Sequence, residues 1–119
     1  MRSRFILAGL LALSGCDFLP AKDRSVELHG QILDAETRTP IAGALWGISN
    51  SCGFGTLVNL AGGQTDAQGR FVARYEYPNC GDPFFIASTQ EDRGYEGVGY
   101  EVYGTGRVSI TVLLERRTP

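Results

Sequence analysis

The chain contains three cysteines and one histidine, and these side chains are the first indication of the chemistry it could perform. Cys16 follows an apolar run near the N-terminus, whereas Cys52 and Cys80 lie in segments rich in glycine, serine and asparagine. A thiol can be acylated, oxidised to a disulfide, or used as a nucleophile or metal ligand. The neighbours of each cysteine favour different roles.

Residues 1–16 have the organisation of an export signal. Arg2 and Arg4 precede a nine-residue apolar run from Phe5 to Leu13. A bilayer-spanning helix needs roughly 20 apolar residues, so this run fits a cleaved signal better than a permanent anchor. The tetrapeptide Leu13-Ser14-Gly15-Cys16 resembles the lipobox of bacterial lipoproteins, in which small residues precede a cysteine that receives lipid. We therefore expect cleavage before Cys16 and lipidation of its thiol, with palmitate among the acyl chains. An ordinary cleaved signal and a buried first helix are the alternatives.

This prediction divides the chain and places it in the cell. Residues 1–15 would be the signal peptide, 16–25 a lipidated tether and 26–115 the folded domain. Two or three acyl chains on one cysteine hold a protein at a membrane far more firmly than one. We expect a cell-envelope protein that faces the periplasm or the exterior. Asp17 favours the inner membrane in enteric bacteria, but the rule differs between bacterial groups, so inner and outer membranes both stay open.

The remaining cysteines are expected to form a disulfide. With Cys16 assigned to lipid, Cys52 and Cys80 make an even pair in an oxidising compartment, where such pairs normally close. A zinc site would need two further Cys or His ligands, and only His29 is left. His29 alternates with Leu28, which predicts a solvated position on the outer face of a strand.

Other motifs for catalysis or ligand binding are incomplete. Gly47-Ile48-Ser49-Asn50-Ser51 fails at the last position of a nucleophile elbow, and Gly53-Phe54-Gly55 lacks the third glycine of a phosphate loop. The acidic pairs Asp34/Glu36 and Glu91/Asp92 lack the regular spacing of a calcium loop. We expect no catalytic residues, metal or cofactor. The formal charge of −2, with scattered basic residues, argues against a nucleic-acid partner.

Three tyrosines near the C-terminal end could bind a partner. Tyr95, Tyr100 and Tyr103 lie among several glycines, and exposed aromatic rings on such a loop would suit a glycan, a peptide or another protein. The alternative is that Tyr100 and Tyr103 are strand residues and at least one of them packs into the core. Trp46, on the apolar face of its segment, is expected in the core.

The elements that position these residues are short strands. Apolar and polar residues alternate at period two, turn residues separate the runs, and no helical pattern follows the signal. This predicts an all-β fold, a seven-stranded antiparallel β-sandwich of transthyretin-like or Ig-like type. We expect strands at 25–33, 44–48, 56–60, 71–76, 84–89, 99–103 and 108–114. A loop is expected at 49–55 and a polar turn at 34–40, and Gly62-Gly63 leads into a further turn at 65–69. The apolar run 84–89 suits a central strand.

Two segments resemble the carboxypeptidase regulatory-like domain, a transthyretin-like sandwich. The first is Gly30-Gln31-Ile32-Leu33-Asp34 followed by Pro40-Ile41-Ala42-Gly43-Ala44, and the second is Thr65-Asp66-Ala67-Gln68-Gly69-Arg70-Phe71. The resemblance spans roughly residues 26–114. It implies a tight crossover at 40–44, an Asp66 side chain that binds amides of its own turn, and Phe71 in the core. These features describe a fold and leave function open.

Enzymes with related folds need residues that this chain lacks. Hydroxyisourate hydrolases use several histidines and a C-terminal Tyr-Arg-Gly-Ser, and intradiol dioxygenases bind iron through two tyrosines and two histidines. The chain has one histidine. We therefore expect a non-enzymatic, membrane-tethered binding or structural module, held by lipid on Cys16, with an envelope protein or glycan as its partner. The alternatives are a small hydrolase that uses Ser49 or Ser51 in the 49–63 loop, and an accessory subunit of an envelope enzyme.

Overall fold

The structure, a computed structural model, describes residues 24–51 and 57–118. The expected signal peptide, the lipidation site Cys16 and the cysteine Cys52 lie outside the described residues. The described part contains seven strands and one 3₁₀ turn at Glu91–Arg93. The strands are β1 (Ser25–Asp34), β2 (Leu45–Ser51), β3 (Leu57–Gln64), β4 (Arg70–Glu76), β5 (Phe84–Ser88), β6 (Val98–Glu101) and β7 (Gly106–Leu114).

The strands form two sheets that enclose one core. The three-stranded sheet has the order β4-β1-β7, and the four-stranded sheet has the order β3-β2-β5-β6. The predicted seven-stranded sandwich is confirmed. One pair departs from the antiparallel expectation, because β1 and β7 run parallel from Val26↔Gly106 to Asp34↔Leu114. A parallel pair needs a long crossover, and here all the intervening strands provide it. None of the described residues belongs to a helix long and apolar enough to span a membrane.

Aromatic side chains from both sheets form the centre of the core. The ring of Phe71 stacks on Trp46 at a centroid distance of 4.6 Å and on Phe85 at 5.6 Å. Trp46 is 9% exposed and Phe85 is fully buried, so the core position expected for Trp46 is confirmed. Burial of each such ring contributes about 1.5–3 kcal/mol relative to leaving it exposed.

Gly30 makes room for this stack. It pairs with Phe71 across β1 and β4, and a Cβ atom at Gly30 would lie 2.2 Å from Cζ of that ring. No real Cβ approaches a ring carbon this closely, so any larger residue would displace Phe71 from its place between Trp46 and Phe85. The glycine of the first family-like segment is thus a packing requirement.

The turn between β3 and β4 has the geometry that the second segment implies. The Asp66 carboxylate accepts hydrogen bonds from the backbone N–H groups of Gln68 and Arg70, each at 2.9 Å. Gly69 has φ of +73°, and its carbonyl accepts a 2.7 Å hydrogen bond from the Ile32 N–H. The turn therefore docks on β1, and Phe71 enters the core as expected.

Within 49–63 the described residues, 49–51 and 57–63, lie in strands, which corrects the start of the expected loop. β2 continues to Ser51, and β3 runs through Gly62 and Gly63 to Gln64. Gly63 pairs with Trp46, whose ring lies 3.3 Å from where a Cβ at Gly63 would be. Gly63 thus accommodates the Trp46 ring, whereas the nearest atom to a Cβ at Gly62 would be the Trp46 carbonyl oxygen at 3.3 Å. The register shifts between Ile48 and Ser49, where a bulge absorbs one extra residue of β3.

Candidate functional site

Asp34 is a buried carboxylate at the end of β1 and is 1% exposed. Its Oδ1 accepts hydrogen bonds from the backbone N–H of Glu36 at 2.8 Å and of Thr37 at 3.0 Å. Its Oδ2 accepts one from the Tyr95 hydroxyl at 2.7 Å and one from Arg116 Nε at 3.1 Å. These bonds, with the Thr37 amide foremost, hold the pKa of Asp34 well below its usual range. The carboxylate is charged and its hydrogen-bonding capacity is used within the fold.

Tyr95 belongs to this cluster and not to an exposed patch. The residue is 7% exposed, and its backbone forms an isolated bridge with Arg116. The Arg116 guanidinium carbon lies 4.9 Å from the centroid of the Tyr95 ring, within the range of a cation–π contact. Burial, together with the hydrogen bond to Asp34, raises the pKa of the Tyr95 phenol. Tyr95 therefore joins the loop before β6 to the end of β1, and its ring is not available to a partner.

The other two tyrosines lie elsewhere. The Tyr100 ring packs 5.7 Å from that of Phe85 and keeps 38% of its surface exposed. Tyr103 is 60% exposed, and its hydroxyl donates to the Glu101 carboxylate, which raises the pKa of Tyr103. Tyr95 is hydrogen-bonded to Asp34, the last residue of β1. Tyr103 lies shortly before Gly106, which pairs with Val26 near the first residue of β1. A ten-residue strand separates these positions by about 30 Å, so the predicted patch of three tyrosines is not assembled.

The outer face of the three-stranded sheet is polar. His29 lies there as expected, with Val72 and Ser109 as its neighbours on β4 and β7. Its Nε2 is 3.6 Å from Glu27 Oε2, and Glu27 also accepts a 2.9 Å hydrogen bond from Arg74. A shallow depression of about 620 Å³ lies on this face. Its lining includes His29, Gln31, Asp66, Arg70, Val72 and Thr111. Among the residues that the structure describes, no three His, Cys, Asp or Glu side chains converge as a metal site would require.

The outer face of the four-stranded sheet carries exposed hydrophobic side chains, which the sequence analysis did not predict. Phe84 and Ile86 of β5 are 43% and 51% exposed, and Leu57 of β3 is 69% exposed. Gly47 of β2 lies beside Ile86 and pairs with Gly62 of β3 on its other side. Polar residues share this face, namely Ser49, Asn59, Gln64, Ser88 and Glu101. We call its four exposed hydrophobic side chains, Leu45, Leu57, Phe84 and Ile86, the apolar face. The run Phe84-Phe85-Ile86 was the available signal, because two of three consecutive apolar residues in a strand must share the face opposite the third.

The chain enters the domain at a fixed point. The Arg24 carbonyl accepts a 2.7 Å hydrogen bond from the Tyr77 N–H, and Arg24 Nε donates to the Tyr77 carbonyl at 2.9 Å. A second guanidinium nitrogen donates to the Pro78 carbonyl. The Tyr77 hydroxyl in turn donates to Asp82, which raises the pKa of Tyr77 to about 12. We call this end of the sandwich the entry end.

Cys80, one member of the predicted disulfide, also lies at the entry end. The sulfur of Cys80 lies 4.0 Å from Oδ1 of Asn50, two residues before Cys52 in the sequence. Asn50 also donates a 3.3 Å hydrogen bond to the Asp82 carbonyl, so the segment that contains Cys80 packs against the end of β2. Because Cys52 lies outside the described residues, the disulfide stays a prediction.

Comparisons with known proteins identify the fold. No family model matches the chain, and no curated protein matches it. Among solved structures, it is similar to a 3-chlorocatechol 1,2-dioxygenase from Rhodococcus opacus 1CP, with 15% identity and a TM-score of 0.60 over 80% of this chain and 61% of that one. It is also similar to the shaft pilin SpaA from Lactobacillus rhamnosus GG, with 18% identity and a TM-score of 0.55 over 80% of this chain and 48% of the pilin. A streptococcal ancillary pilin shares 14% identity and a TM-score of 0.55 over 98% of this chain and 34% of that pilin.

These similarities concern the fold alone. The identities are too low to carry over a site, and the chain spans between about a third and three fifths of the length of these proteins. The described residues form a β-sandwich module of the kind that recurs in them.

Proposed function

We propose that this chain is a bacterial envelope lipoprotein, held to a membrane by lipid on Cys16, whose β-sandwich is a non-catalytic binding or structural module. The observation that carries the proposal is the tetrapeptide Leu13-Ser14-Gly15-Cys16, preceded by a nine-residue apolar run and two arginines. Small residues before the cysteine let a peptidase approach the backbone, and the thiol is the acceptor for a lipid group. The proposed location is the cell envelope, on the periplasmic or exterior side.

The proposal that the domain has a structural role is supported by Asp34 and Thr65, two buried polar residues that are hydrogen-bonded within the fold. The Asp34 carboxylate accepts four hydrogen bonds within the fold. The Thr65 hydroxyl accepts a 2.8 Å hydrogen bond from the Ala44 N–H and donates one of 2.6 Å to the Ile41 carbonyl. Polar groups that hold loops in place in this way stabilise a sandwich. Two proteins of similar fold are named as pilins, which agrees with a structural use of such a domain.

Within this proposal the domain is a carboxypeptidase regulatory-like module with one disulfide. The turn at Asp66 and Gly69, and the packing of Phe71 on Gly30, supply the physical reasons for the residues of the family-like segments. The Cys52–Cys80 bridge is supported by the 4.0 Å contact between Cys80 and Asn50 at the end of β2. The partner would be an envelope protein or a glycan, and no nucleic acid.

Metabolic labelling with a palmitate analogue tests the lipid anchor. We expect label on the native chain and none on Cys16→Ala, because the sulfur that accepts lipid has been removed. Cys80→Ala is the matched control, since it removes a different thiol and should keep the label. Equal labelling of the native chain and Cys16→Ala would show that the proposal is wrong.

A further inference from the structure

The two outer faces of the sandwich differ in chemistry. The described residues include eight large hydrophobic side chains that are exposed, and Val72 alone among them belongs to the three-stranded sheet. Four of the others, Leu45, Leu57, Phe84 and Ile86, project from the outer face of the four-stranded sheet, and Tyr103 lies directly after β6. Val58 and Tyr100 lie on the inner side of their strands, because they pair with the buried residues Asn50 and Phe85. Contiguous exposed apolar residues on a domain of this size indicate a contact surface.

Several of these side chains lie at the entry end. Phe84 begins β5 and pairs with Glu101, two residues before Tyr103. Leu57 begins β3 and pairs with Ser51, the last residue of β2. The Val102 N–H donates a 3.0 Å hydrogen bond to the Pro83 carbonyl, which links the segment after β6 to the start of β5. The entry end therefore presents two aromatic rings and a leucine where the tether meets the domain.

The length of the tether decides which surface the anchor can reach. Arg24 is eight residues after Cys16, and eight extended residues span at most about 29 Å. β1 alone, with ten residues, is about 33 Å long. A lipid on Cys16 therefore keeps Arg24, and with it the entry end, within about 29 Å of the bilayer, a distance shorter than β1. The hydrogen bonds from Arg24 to Tyr77 and Pro78 fix the point from which this short tether leaves the domain.

We propose that the entry end, together with the adjoining part of the apolar face, docks on the bilayer surface to which Cys16 is anchored. The contact residues would be Leu57, Phe84, Ile86 and Tyr103. Phenylalanine and leucine enter the acyl boundary, and tyrosine is enriched at the headgroup level because its ring is apolar and its hydroxyl polar. The opposite face, with Glu27, Arg70 and Arg74, stays in water. This inference rests on the proposed lipid anchor, which supplies the bilayer as the occupant of this surface.

Tryptophan fluorescence of the full lipidated chain in phosphatidylcholine vesicles tests the docking. Phe84→Trp places a reporter on the proposed contact, and Val72→Trp places one on the polar face at a similar exposure, 43% against 39%. Trp46 is buried in both variants, and its signal is subtracted with the native chain. With dibrominated lipid in place of ordinary lipid, we expect Phe84→Trp to be quenched at least twofold more than Val72→Trp.

The outcomes separate this inference from the anchor itself. Equal quenching of the two variants, or none, in protein that floats with the vesicles would overturn the docking and leave the anchor standing. A native chain that does not float with vesicles would overturn both. Ile86→Trp repeats the test at a second exposed position if Phe84→Trp has a lower thermal midpoint. Absence of quenching with sedimentation as a dimer would assign the apolar face to a second copy and overturn the bilayer contact.

Discussion

At the scale of single residues, Asp34 joins three distant parts of the chain. Its carboxylate accepts hydrogen bonds from the turn after β1, from Tyr95 and from Arg116. An ionised carboxylate with four donors is far more favourable in the folded chain than its protonated form, because a proton would replace one of these bonds. The lowered pKa of Asp34 is therefore a source of stability at neutral pH.

We expect Asp34→Asn to lower the thermal midpoint by several degrees at pH 7, because the neutral amide directs an NH₂ group at one set of donors. The pKa of Asp34 is lowered on folding, so its contribution is complete above the unfolded value of about 3.9 and is lost as pH falls toward the folded value. The difference between the native chain and Asp34→Asn should therefore shrink as pH falls below about 4. Thermal unfolding followed by circular dichroism between neutral and acidic pH measures it. Asp92→Asn, at an exposed position, is the control; a difference independent of pH would contradict the assignment.

The sequence could indicate Asp34 but not its role. The family-like segment placed an aspartate at the end of the first strand, and the spacing of Asp34 and Glu36 excluded a regular calcium loop. Tyr95 and Arg116 are 61 and 82 residues away from Asp34, and no local pattern connects them. For the same reason the sequence does not indicate that Tyr95, a member of the possible binding patch, is buried by the fold.

At the scale of elements, glycines inside strands differ in whether a neighbouring side chain fills the space that a Cβ would take. Gly30 lies under the Phe71 ring, whereas a Cβ at Gly47 would meet nothing closer than 3.7 Å. Both glycines lie inside central strands, β1 and β2, and neither has a positive φ. Gly30 and Gly47 can therefore be compared directly, because they differ mainly in the space available to an added Cβ atom.

We expect Gly30→Ala to destabilise the domain by about 1–3 kcal/mol, because the added methyl group overlaps the Phe71 ring and must displace it. Gly47→Ala should be neutral or stabilise by up to about 1 kcal/mol, since alanine fits there and restricts the unfolded chain. Urea unfolding of the two variants beside the native chain measures both. Equal destabilisation by the two substitutions would show that strand propensity, and not the contact with Phe71, is responsible.

The buried and exposed residues of a strand were predictable where one face of the strand is polar. They were not predictable where both faces are apolar. In β4, the buried residues Phe71, Ala73 and Tyr75 alternate with exposed ones, and the sequence pattern gave the same assignment. In β5, Phe84, Phe85 and Ile86 follow one another, and the pattern indicated a strand buried on both sides. The structure exposes two of them because no layer covers the outer face of the four-stranded sheet within the described residues. The sequence similarly does not predict Gly62 and Gly63 as strand residues, since only their pairing with the distant β2 explains them.

At the scale of the whole molecule, the proposed disulfide would join β2 to the segment before β5. Closing a loop of about 29 residues contributes on the order of 3.5 kcal/mol in the chain-entropy model. We expect the Cys52→Ala/Cys80→Ala double variant, and the native chain in reductant, to lose a similar amount in urea unfolding. Alkylation of the unfolded native chain without reductant, followed by mass measurement, should leave both thiols unmodified. Modification of both would contradict the bridge.

The sandwich itself was predictable, because seven alternating segments between turn residues have few other ways to bury their apolar faces. The order of the strands was only partly accessible. The turn at 65–69, which joins β3 to β4, was predictable. The parallel pairing of β1 with β7 depends on contacts between residues about 80 positions apart. Such pairing leaves no local signature in either strand.

That parallel pairing has a consequence for the time course of the export that we propose. β1 is the central strand of its sheet, and one of its two partners is the last strand of the described chain. Until β7 has crossed the membrane, β1 lacks the hydrogen bonds of an entire edge and the hydrophobic contact of Val112 and Leu114, both fully or almost fully buried in the native fold. Contacts this far apart in sequence also form slowly, since the loop between them must close first. We therefore expect the domain to stay unfolded until β7 is available, which under the proposed export would keep it able to pass a translocation channel until nearly its whole length has emerged.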